Sequence, residues 1–529
     1  MFNSNSLEFT NDFSLMACLI KEDYSKYSHP PPRPHTGVYL SGRLVFTLII
    51  FLFLALLLLV LNVVQVNSLG KVTYIGDSLD NRPVVLVYAQ KLYTGYLDHV
   101  LAVFNRIGYL RVESAGQRWD VLWSHDYPFA VDELDERLKQ LEPHQKVNHF
   151  PGSGFITNKA SLAVSHFPFH PLAFEIPKDK KKFLKEVAKN PQKIWVEKSN
   201  MHRGIHIKKP QDINLDSSSR DTFVEEFISN PYLIDKRKCD LGIYTVLTSI
   251  NPLRVYVYED EILIRCCIQD YHPLDVTNEK QYVVGDEYTQ PWELDSLRYK
   301  WKRGKFSRKQ MLFTHLTENG KDADKVWLDI KNAIKEVYSK KEVDMIAASQ
   351  LYRTSRNFFE MVRFDFILDE NAGVWLMEVN MSPNLSSGSH IDNAVLYEQV
   401  IFNLFGLVGV ANKLGHGTRL SAAKEREMQV TDMDIMTSFD ACATRECRNS
   451  CSQEICELCH PCLTEDQKVT LKLARLEHVN RGGFRRVVPP PMSQSEARVA
   501  KSSNDVNGSN RFMWIWFRRM CLRDPTWCH

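Results

Sequence analysis

The feature that most constrains this sequence is the segment 359–388, FEMVRFDFILDENAGVWLMEVNMSPNLSSG, in which two apolar runs flank a short polar stretch. The runs at 361–368 and 374–379 are each long enough to form one strand of a sheet. Between them, residues 369–373 include the Asp, Asn and Gly that are typical of a tight turn. The pattern therefore predicts a β-hairpin.

Three polar side chains interrupt this hairpin. Alternate residues of a strand point to the same side, so Glu378 and Asn380 share a face, and Asp365 lies across the hairpin near Glu378. Two carboxylates and an amide oxygen are the ligands that Mg²⁺ takes beside substrate phosphates. Acids also occur on the solvent face of ordinary hairpins, but charges within so apolar a run are seldom left unpaired. These residues predict a metal–nucleotide site.

Residues 44–66, LVFTLIIFLFLALLLLVLNVVQV, contain no charge and exceed the roughly 20 residues that a membrane-spanning helix requires. We predict one transmembrane helix here, after a polar tail at 1–43. A cleaved signal peptide is the alternative, which the length and late start of the run disfavour. More basic residues precede the span than follow it: Lys21, Lys26, Arg33 and Arg43 before, Lys71 and Arg82 after. This excess favours a cytoplasmic N-terminus and a luminal body for a single-pass protein.

The chain of 529 residues is too long for one core of average size, and its net charge of +2 argues against nucleic acid as a partner. Residues 72–150 carry strand and helix patterns that predict a small N-terminal α/β module. Residues 151–415 alternate strands and helices with short connections, which predicts an α+β core. Residues 416–529 are Cys-rich and then of low complexity, with consecutive prolines and many Ser and Asn residues.

Six cysteines crowd one stretch of this C-terminal region, with His460 among them. They are Cys442, Cys447, Cys451, Cys456, Cys459 and Cys462. Such density indicates either disulfides in an oxidising compartment or a zinc site in a reducing one. The spacer between Cys456 and Cys459 suits half of a zinc site, but no second such pair stands at a customary distance. Both interpretations stay open.

Two segments upstream of the hairpin have features that suit a nucleotide. Lys198 lies in IWVEKSNMHRGIHI, where a strand leads through a polar loop with Gly204 to a second strand. Backbone N–H groups in such a loop can cover phosphates while the lysine neutralises them. In FVEEFISNPYLI, extended backbone around Glu226 and Ile228 can present N–H and C=O groups to adenine. Each segment alone fits an ordinary strand end equally well.

The order of the motifs along the chain is more specific than any one of them. Lys159 after QKVNHFPGS, Lys198, the FVEEFISNPYLI segment, Lys238-Cys-Asp240, Arg265 and the hairpin follow one another between about residue 145 and about residue 410. This arrangement resembles the tubulin–tyrosine ligase-like family. The resemblance implies an ATP-grasp fold and a reaction that joins an amino acid to a protein through an acyl phosphate made with ATP.

The resemblance also implies a role for each matched residue. ATP contacts are implied for Lys159, Lys198, Gly204, Glu226, Ile228, Lys238 and Asp240. Catalytic contacts are implied for Lys238 and Arg265, the latter near the acyl phosphate or the amino-acid carboxylate. Asp365, Glu378 and Asn380 would bind Mg²⁺.

The function implied is that of a polyglutamylase, an ATP-dependent ligase that adds free glutamate to glutamate side chains of tubulin. Its cofactors would be ATP and Mg²⁺, and its partners tubulin or microtubules and, through residues 44–66, a membrane. A tubulin substrate requires a cytoplasmic body, whereas the charge count places the body in the lumen. A luminal ligase would instead modify proteins of the secretory pathway, and the side of the membrane stays open.

The chain departs from the family pattern in three places, and position 242 is the one that separates an active enzyme from an inactive scaffold. Where the family has Lys-Phe-Asp-Leu-Arg, this chain has Lys238-Cys-Asp-Leu-Gly242. Glycine replaces neither the charge nor the fork of a guanidinium that holds anionic groups. An active enzyme therefore needs another cation at that position, such as Arg237 or Arg254. Without one, the chain would be a catalytically inactive nucleotide-binding scaffold.

Overall fold

The chain forms three β-sheets and surrounding helices in the part that the computed structural model describes, residues 82–90, 95–199, 205–216, 222–412, 422–502 and 507–529. The strands are β1 (Val84–Tyr88), β2 (Leu110–Val112), β3 (Val121–Ser124), β4 (Lys146–Val147), β5 (Ala173–Ile176), β6 (Trp195–Ser199), β7 (His206–Lys208), β8 (Thr222–Glu226), β9 (Leu233–Ile234), β10 (Arg237–Ile250), β11 (Leu253–Tyr258), β12 (Leu263–Cys266), β13 (Glu360–Leu368), β14 (Val374–Met381) and β15 (Phe484–Val488). The α-helices are α1 (Asp98–Arg106), α2 (Asp132–Leu138), α3 (Gly154–Thr157), α4 (Lys159–Ala163), α5 (Lys180–Lys189), α6 (Asp295–Lys302), α7 (Arg308–Glu318), α8 (Ala323–Ser349), α9 (Ala394–Leu407), α10 (Ala422–Gln429), α11 (Asp432–Ile435), α12 (Phe439–Ala443), α13 (Arg445–Asn449), α14 (Glu465–Val479), α15 (Gln494–Val499) and α16 (Gly508–Arg523).

The first sheet belongs to a small N-terminal module. Its strands lie in the order β2-β1-β3-β4 and run parallel. Helix α1 packs against helix α9, with the rings of Phe104 and Phe405 4.3 Å apart between centroids. All four residues of β3 are buried, as expected for a parallel strand covered on both faces. The described residues from 82 onward thus contain the α/β arrangement expected from the sequence.

The central sheet is antiparallel and is built around β10, which is 14 residues long. Its order is β14-β13-β10-β11-β15, and β9 and β12 also pair with β10. Along β13, Val362, Phe364 and Phe366 pack in the core that includes helix α8, while Met361 packs in the core that includes helix α9. Both faces of β13 are covered, so all nine of its residues are buried.

The hairpin predicted from segment 359–388 is confirmed. Strands β13 and β14 pair antiparallel, with Asp365 opposite Glu378. In the turn, Asp369 Oδ1 accepts the backbone N–H groups of Asn371 at 2.9 Å and Gly373 at 2.8 Å. A Cβ on Gly373 would lie 2.5 Å from the Asp369 carboxylate, so a larger residue here would displace the carboxylate that closes the turn.

The third sheet forms a separate small layer. Its strands lie in the order β5-β8-β6-β7 and are antiparallel. Phe174, Phe183, Trp195 and Val224 form its core, to which helix α5 contributes Phe183. Because this core is distinct from the two cores of the central sheet, the layer presents its other face to the rest of the molecule.

The C-terminal region packs onto the central sheet, which its low-complexity composition did not predict. Strand β15 pairs with β11 and so adds an edge strand to that sheet. On helix α14, Glu477 accepts hydrogen bonds from Arg254 Nε at 2.7 Å and from Nη2 at 2.8 Å. The aromatic terminal helix α16 buries Trp516 and Phe517 in a core of its own region.

Disulfides pair the six clustered cysteines, as Cys442–Cys459, Cys447–Cys456 and Cys451–Cys462. Among the described residues there is no group of three or more His, Cys, Asp or Glu side chains suited to a metal. The zinc interpretation of this stretch is therefore wrong. Its interior consists largely of half-cystines, because few other apolar side chains are available there. Two more disulfides, Cys239–Cys266 and Cys521–Cys528, join cysteines that no sequence pattern had paired.

The predicted membrane span at 44–66 and the polar tail at 1–43 lie outside the described residues. Within the described ranges, no helix has both the length and the apolar character that a membrane crossing needs.

Candidate active site

A cavity of about 150 Å³ lies between the third sheet and the hairpin of the central sheet. Val196 and Phe223 line it from the third sheet, and Ile367 and Met377 line it from the hairpin. Most residues singled out from the sequence also line this cavity: Lys159, Lys198, Glu226, Ile228, Lys238, Asp240, Arg265, Asp365 and Glu378. Gly204 lies outside the described residues. The fold thus brings together side chains from β6, β8, β10, β12 and the hairpin.

Asp365, Glu378 and Asn380 form one cluster on the hairpin. The Asn380 amide donates to Asp365 Oδ2 at 2.9 Å and to Glu378 Oε1 at 3.0 Å. Turning this amide over would replace its nitrogen by its oxygen and give a set of oxygen donors only. Two carboxylates and one amide oxygen suit Mg²⁺, so the residues present fit the ion that the sequence predicted.

Cations surround the two carboxylates. Lys159 Nζ lies 2.7 Å from Glu378 Oε2, and Arg265 Nη2 donates to Asp365 Oδ2 at 2.9 Å. Burial alone would raise the pKa of Glu378, but the ammonium of Lys159 and the hydrogen bond from Asn380 outweigh it and lower this pKa to about 2. Glu378 is therefore ionised at neutral pH and remains available to a cation.

The register of β10 against β12 positions the next three groups. Asp240 pairs with Arg265 across these strands, and Lys238 Nζ donates to Asp240 Oδ1 at 2.6 Å. Burial lowers the pKa of Lys238, yet the nearby Asp240 carboxylate raises it more, so the pKa is above its usual value. On the opposite face of the strands, the disulfide Cys239–Cys266 fixes this register covalently. The site thus contains a protonated lysine and an arginine held side by side.

Lys198 enters the cavity from the third sheet. Its Nζ donates to Glu225 Oε1 at 2.7 Å, and Glu225 is only 2% exposed. Lys198 lies on β6 and Glu225 on the adjacent strand β8, so the pair is local to this sheet. A lysine paired with a carboxylate of its own sheet can exchange that partner for a substrate phosphate.

The predicted adenine-binding segment is placed at the cavity, with one difference. The backbone N–H of Glu226 donates to Leu172 O at 2.8 Å, and its side chain pairs with Lys193 at 2.8 Å. The N–H of Glu226 is therefore occupied, which leaves its carbonyl as the backbone group that can face a base. The backbone N–H of Ile228 has no backbone partner within the described part of the chain, so it is free to donate.

Sequence reasoning missed the apolar residues that complete this part of the cavity. Tyr282, Val283 and Val284 line it from the segment after β12, and the ring of Tyr282 packs edge-on against Phe227 at 5.9 Å. Together with Val196 they form an apolar slot beside the Ile228 backbone, suited to a flat base. No local pattern marks these residues, because the segment has no regular periodicity.

Neither of the two cations expected near Gly242 reaches it. Arg254 is bound to Glu477, and Arg237 Nη1 donates to the backbone oxygen of Cys267 at 3.0 Å. Instead, the side chain of Arg363 on β13 passes over Gly242. Arg363 could have been noticed in the sequence by the same argument as Asp365, since it too is a charge inside an apolar strand.

Comparison with known proteins agrees with this geometry. A family model described as the tubulin-tyrosine ligase family matches residues 136–414, slightly more than half of the chain. The chain belongs to the tubulin-tyrosine ligase family. The matched range contains every site residue discussed above. Ligases of this family are ATP-dependent, and the two antiparallel sheets around the cavity, with their helices, correspond to its ATP-grasp-like α+β fold.

Several members of the tubulin-tyrosine ligase family resemble the chain beyond the shared domain. It is 37% identical over 472 residues to the probable tubulin polyglutamylase ttll-15 of Caenorhabditis elegans, covering 87% of this chain and 90% of that protein. It is 27% identical over 325 residues to human tubulin monoglutamylase TTLL4, covering 57% and 26% respectively. It is 26% identical over 406 residues to tubulin polyglutamylase ttll6 of Danio rerio, covering 72% and 48%. The chain therefore spans less than half of the latter two.

Proposed function

We propose that this ligase uses ATP to join the amine of free glutamate to glutamate side-chain carboxylates of tubulin. The observation that carries the proposal is the cluster of Asp365, Glu378 and Asn380 beside Lys159 and Arg265 in one cavity. The names of its relatives supply the amino acid and the acceptor. In this reaction an acceptor carboxylate attacks the γ-phosphoryl group of ATP and releases ADP, and the glutamate amine then displaces phosphate from the acyl phosphate to form an amide.

The charges in the cavity suit a triphosphate. The cavity is lined by the four cations Lys159, Lys198, Lys238 and Arg265 together with the five carboxylates Glu225, Glu226, Asp240, Asp365 and Glu378. Lysine and arginine side chains of this kind can hold the phosphates of an anionic nucleotide. When the nucleotide binds, Lys159 and Lys198 can exchange a carboxylate partner for phosphate oxygens. The freed carboxylate oxygen of Glu378, together with Asp365, would then hold Mg²⁺.

Each protein group then has a task that needs no covalent intermediate on the enzyme. Arg265 and Lys238 stabilise negative charge on the acceptor carboxyl group and on the incoming amino acid. The Ile228 N–H and the Glu226 carbonyl orient the base. Mg²⁺ at Asp365, Glu378 and Asn380 would supply Lewis-acid stabilisation of the transferred phosphoryl group. Catalysis rests on positioning and charge stabilisation, as in other phosphoryl transfers.

The test is incubation of the purified full-length protein with Mg-ATP, labelled glutamate and microtubules, followed by mass spectrometry of tubulin peptides. We expect ATP-dependent addition of glutamyl residues to glutamate side chains. Labelled tyrosine and glycine, offered in parallel, check the choice of amino acid. Absence of incorporation with all three amino acids, while a known polyglutamylase labels the same microtubules, would refute the proposal.

A second acceptor class is favoured by the disulfides. Five disulfides pair ten of the described cysteines, and only the buried Cys267 remains a thiol among them. Disulfides are rare in the cytosol and common in secreted and luminal proteins. Together with the excess of basic residues before 44–66, they support a body on the luminal side. The acceptors there would be glutamate-rich proteins of the secretory pathway.

The side of the membrane can be read from Asn507, the first residue of an Asn-Gly-Ser glycosylation sequence and exposed at the start of helix α16. For a luminal body we expect an endoglycosidase-sensitive shift in gel mobility that Asn507→Gln abolishes. We also expect most cysteines to resist alkylation until the protein is reduced. An unglycosylated protein whose cysteines react without reduction would exclude the luminal acceptor and favour tubulin.

A further inference from the structure

The side chain of Arg363 occupies the space in which a residue other than glycine at position 242 would have its Cβ. The two residues lie on adjacent strands, with Gly242 opposite Asp365 and Tyr244 opposite Arg363. A Cβ added to Gly242 would stand 2.8 Å from Arg363 Cδ and 3.2 Å from Nε. Any larger residue at 242 must therefore displace this arginine. Glycine at this position leaves the space through which the Arg363 side chain runs.

Arg363 uses this space to bind Asp365. Its Nε donates to Asp365 Oδ1 at 2.6 Å and its Nη2 donates to Oδ2 at 2.8 Å, a two-pronged contact along one strand. The residue is 6% exposed, and the carboxylate of Asp365 raises the pKa of Arg363 despite its burial. A buried guanidinium is tolerated only when its charge is paired in such a geometry. Arg363 is thus an ordered part of the site.

The other contacts of Asp365 come from two other strands, β12 and β14. Arg265 Nη2 and the Asn380 amide both donate to Oδ2, each at 2.9 Å. Oδ1 is held by Arg363. Without Arg363 the carboxylate would keep the contacts on one oxygen and could rotate about its side-chain bonds. The two-pronged contact therefore fixes the plane of the carboxylate.

We propose that Arg363 is a positioning residue that orients Asp365 for Mg-ATP and supplies, from β13, the guanidinium that position 242 lacks, with Gly242 providing the clearance. The inference rests on the proposed function where it concerns the reaction. Its geometric part concerns the affinity for Mg-ATP, which is measured without any transfer of glutamate. The same glycine that marks a departure from the family pattern is then the reason the site is complete.

The first test is steric and changes no charge. Gly242→Ala should push Arg363 away from Asp365 and weaken Mg-ATP binding about 10- to 100-fold, as the loss of a group supporting a metal ligand does. Calorimetric titration of ATP at several Mg²⁺ concentrations measures this, and the loss should be largest at low Mg²⁺. The matched control is Gly154→Ala, whose added methyl group enters open space and should leave binding unchanged.

The second test measures whether the effects of substitutions at positions 242 and 363 on Mg-ATP binding depend on each other. Arg363→Ala should weaken binding at least as much as Gly242→Ala, and Gly242→Ala added to Arg363→Ala should cost little more, because no arginine remains to be displaced. In the transposed variant, Gly242→Arg with Arg363→Gly, binding should recover about 10-fold over Arg363→Gly alone. Arg363→Lys, which keeps the charge without the fork, should fall between wild type and Arg363→Ala and serves if Arg363→Ala fails to fold.

The inference is overturned if Gly242→Ala binds Mg-ATP as tightly as Gly154→Ala. It is also overturned if the effect of Gly242→Ala is equally large with and without Arg363. A wild-type protein that binds Mg-ATP and shows this coupling, but transfers no amino acid, would refute the proposed ligation and leave the role of Arg363 intact.

Discussion

Glu378→Gln is expected to reduce the rate of glutamate addition by at least about 100-fold, the scale on which loss of one preorganised charge contact lowers catalysis. The substitution keeps the shape of the side chain and an oxygen for the Asn380 amide, but removes the negative charge that faces Lys159. It also removes one of the two carboxylates available to Mg²⁺. Initial rates of labelled glutamate incorporation at saturating Mg-ATP measure the effect.

The control lies on the same hairpin. Glu370 is exposed in the turn between β13 and β14, and its side-chain oxygen lies 3.4 Å from the Asn230 amide nitrogen. Glu370→Gln makes the same chemical change away from the cavity, so its rate should match that of the wild type. Equal incorporation by the Glu378 and Glu370 variants would remove Glu378 from the site and with it the assignment of Mg²⁺ to this hairpin.

Glu477→Ala is expected to lower the free energy of unfolding by about 3–5 kcal/mol, the usual cost of removing one partner from a buried ion pair. Glu477 accepts two hydrogen bonds from Arg254, one from Thr248 at 3.0 Å and one from Tyr256 at 3.1 Å. Arg254 is 3% exposed, so its charge would stay in the interior without a carboxylate. The change would weaken the attachment of helix α14 to strands β10 and β11.

Urea unfolding followed by far-ultraviolet circular dichroism measures this loss. Glu465→Ala on the same helix is the matched control, because Glu465 is 87% exposed and pairs with Lys468 one turn along. Surface pairs of this kind contribute little, so the free energy of unfolding of this variant should change by less than about 1 kcal/mol. If the two variants unfold alike, the C-terminal region is not held to the central sheet through Glu477.

The sequence by itself determined the hairpin and the placement of its three polar side chains. Alternation along a strand and turn chemistry at 369–373 are local properties, and they place Glu378 and Asn380 on one face and Asp365 opposite. The order of the motifs was also enough to identify the ligase family. These local features are retained in the fold because they depend on residues that are neighbours in the sequence.

Only the tertiary structure decided which groups complete the site and where the C-terminal region lies. Arg363 faces Gly242 because β13 pairs with β10 in one particular register, and the sequence alone pointed to Arg237 and Arg254 instead. The cysteine pairs and the addition of β15 to the central sheet likewise join residues far apart in the chain. Such contacts depend on how strands and helices pack against one another, which no local pattern specifies.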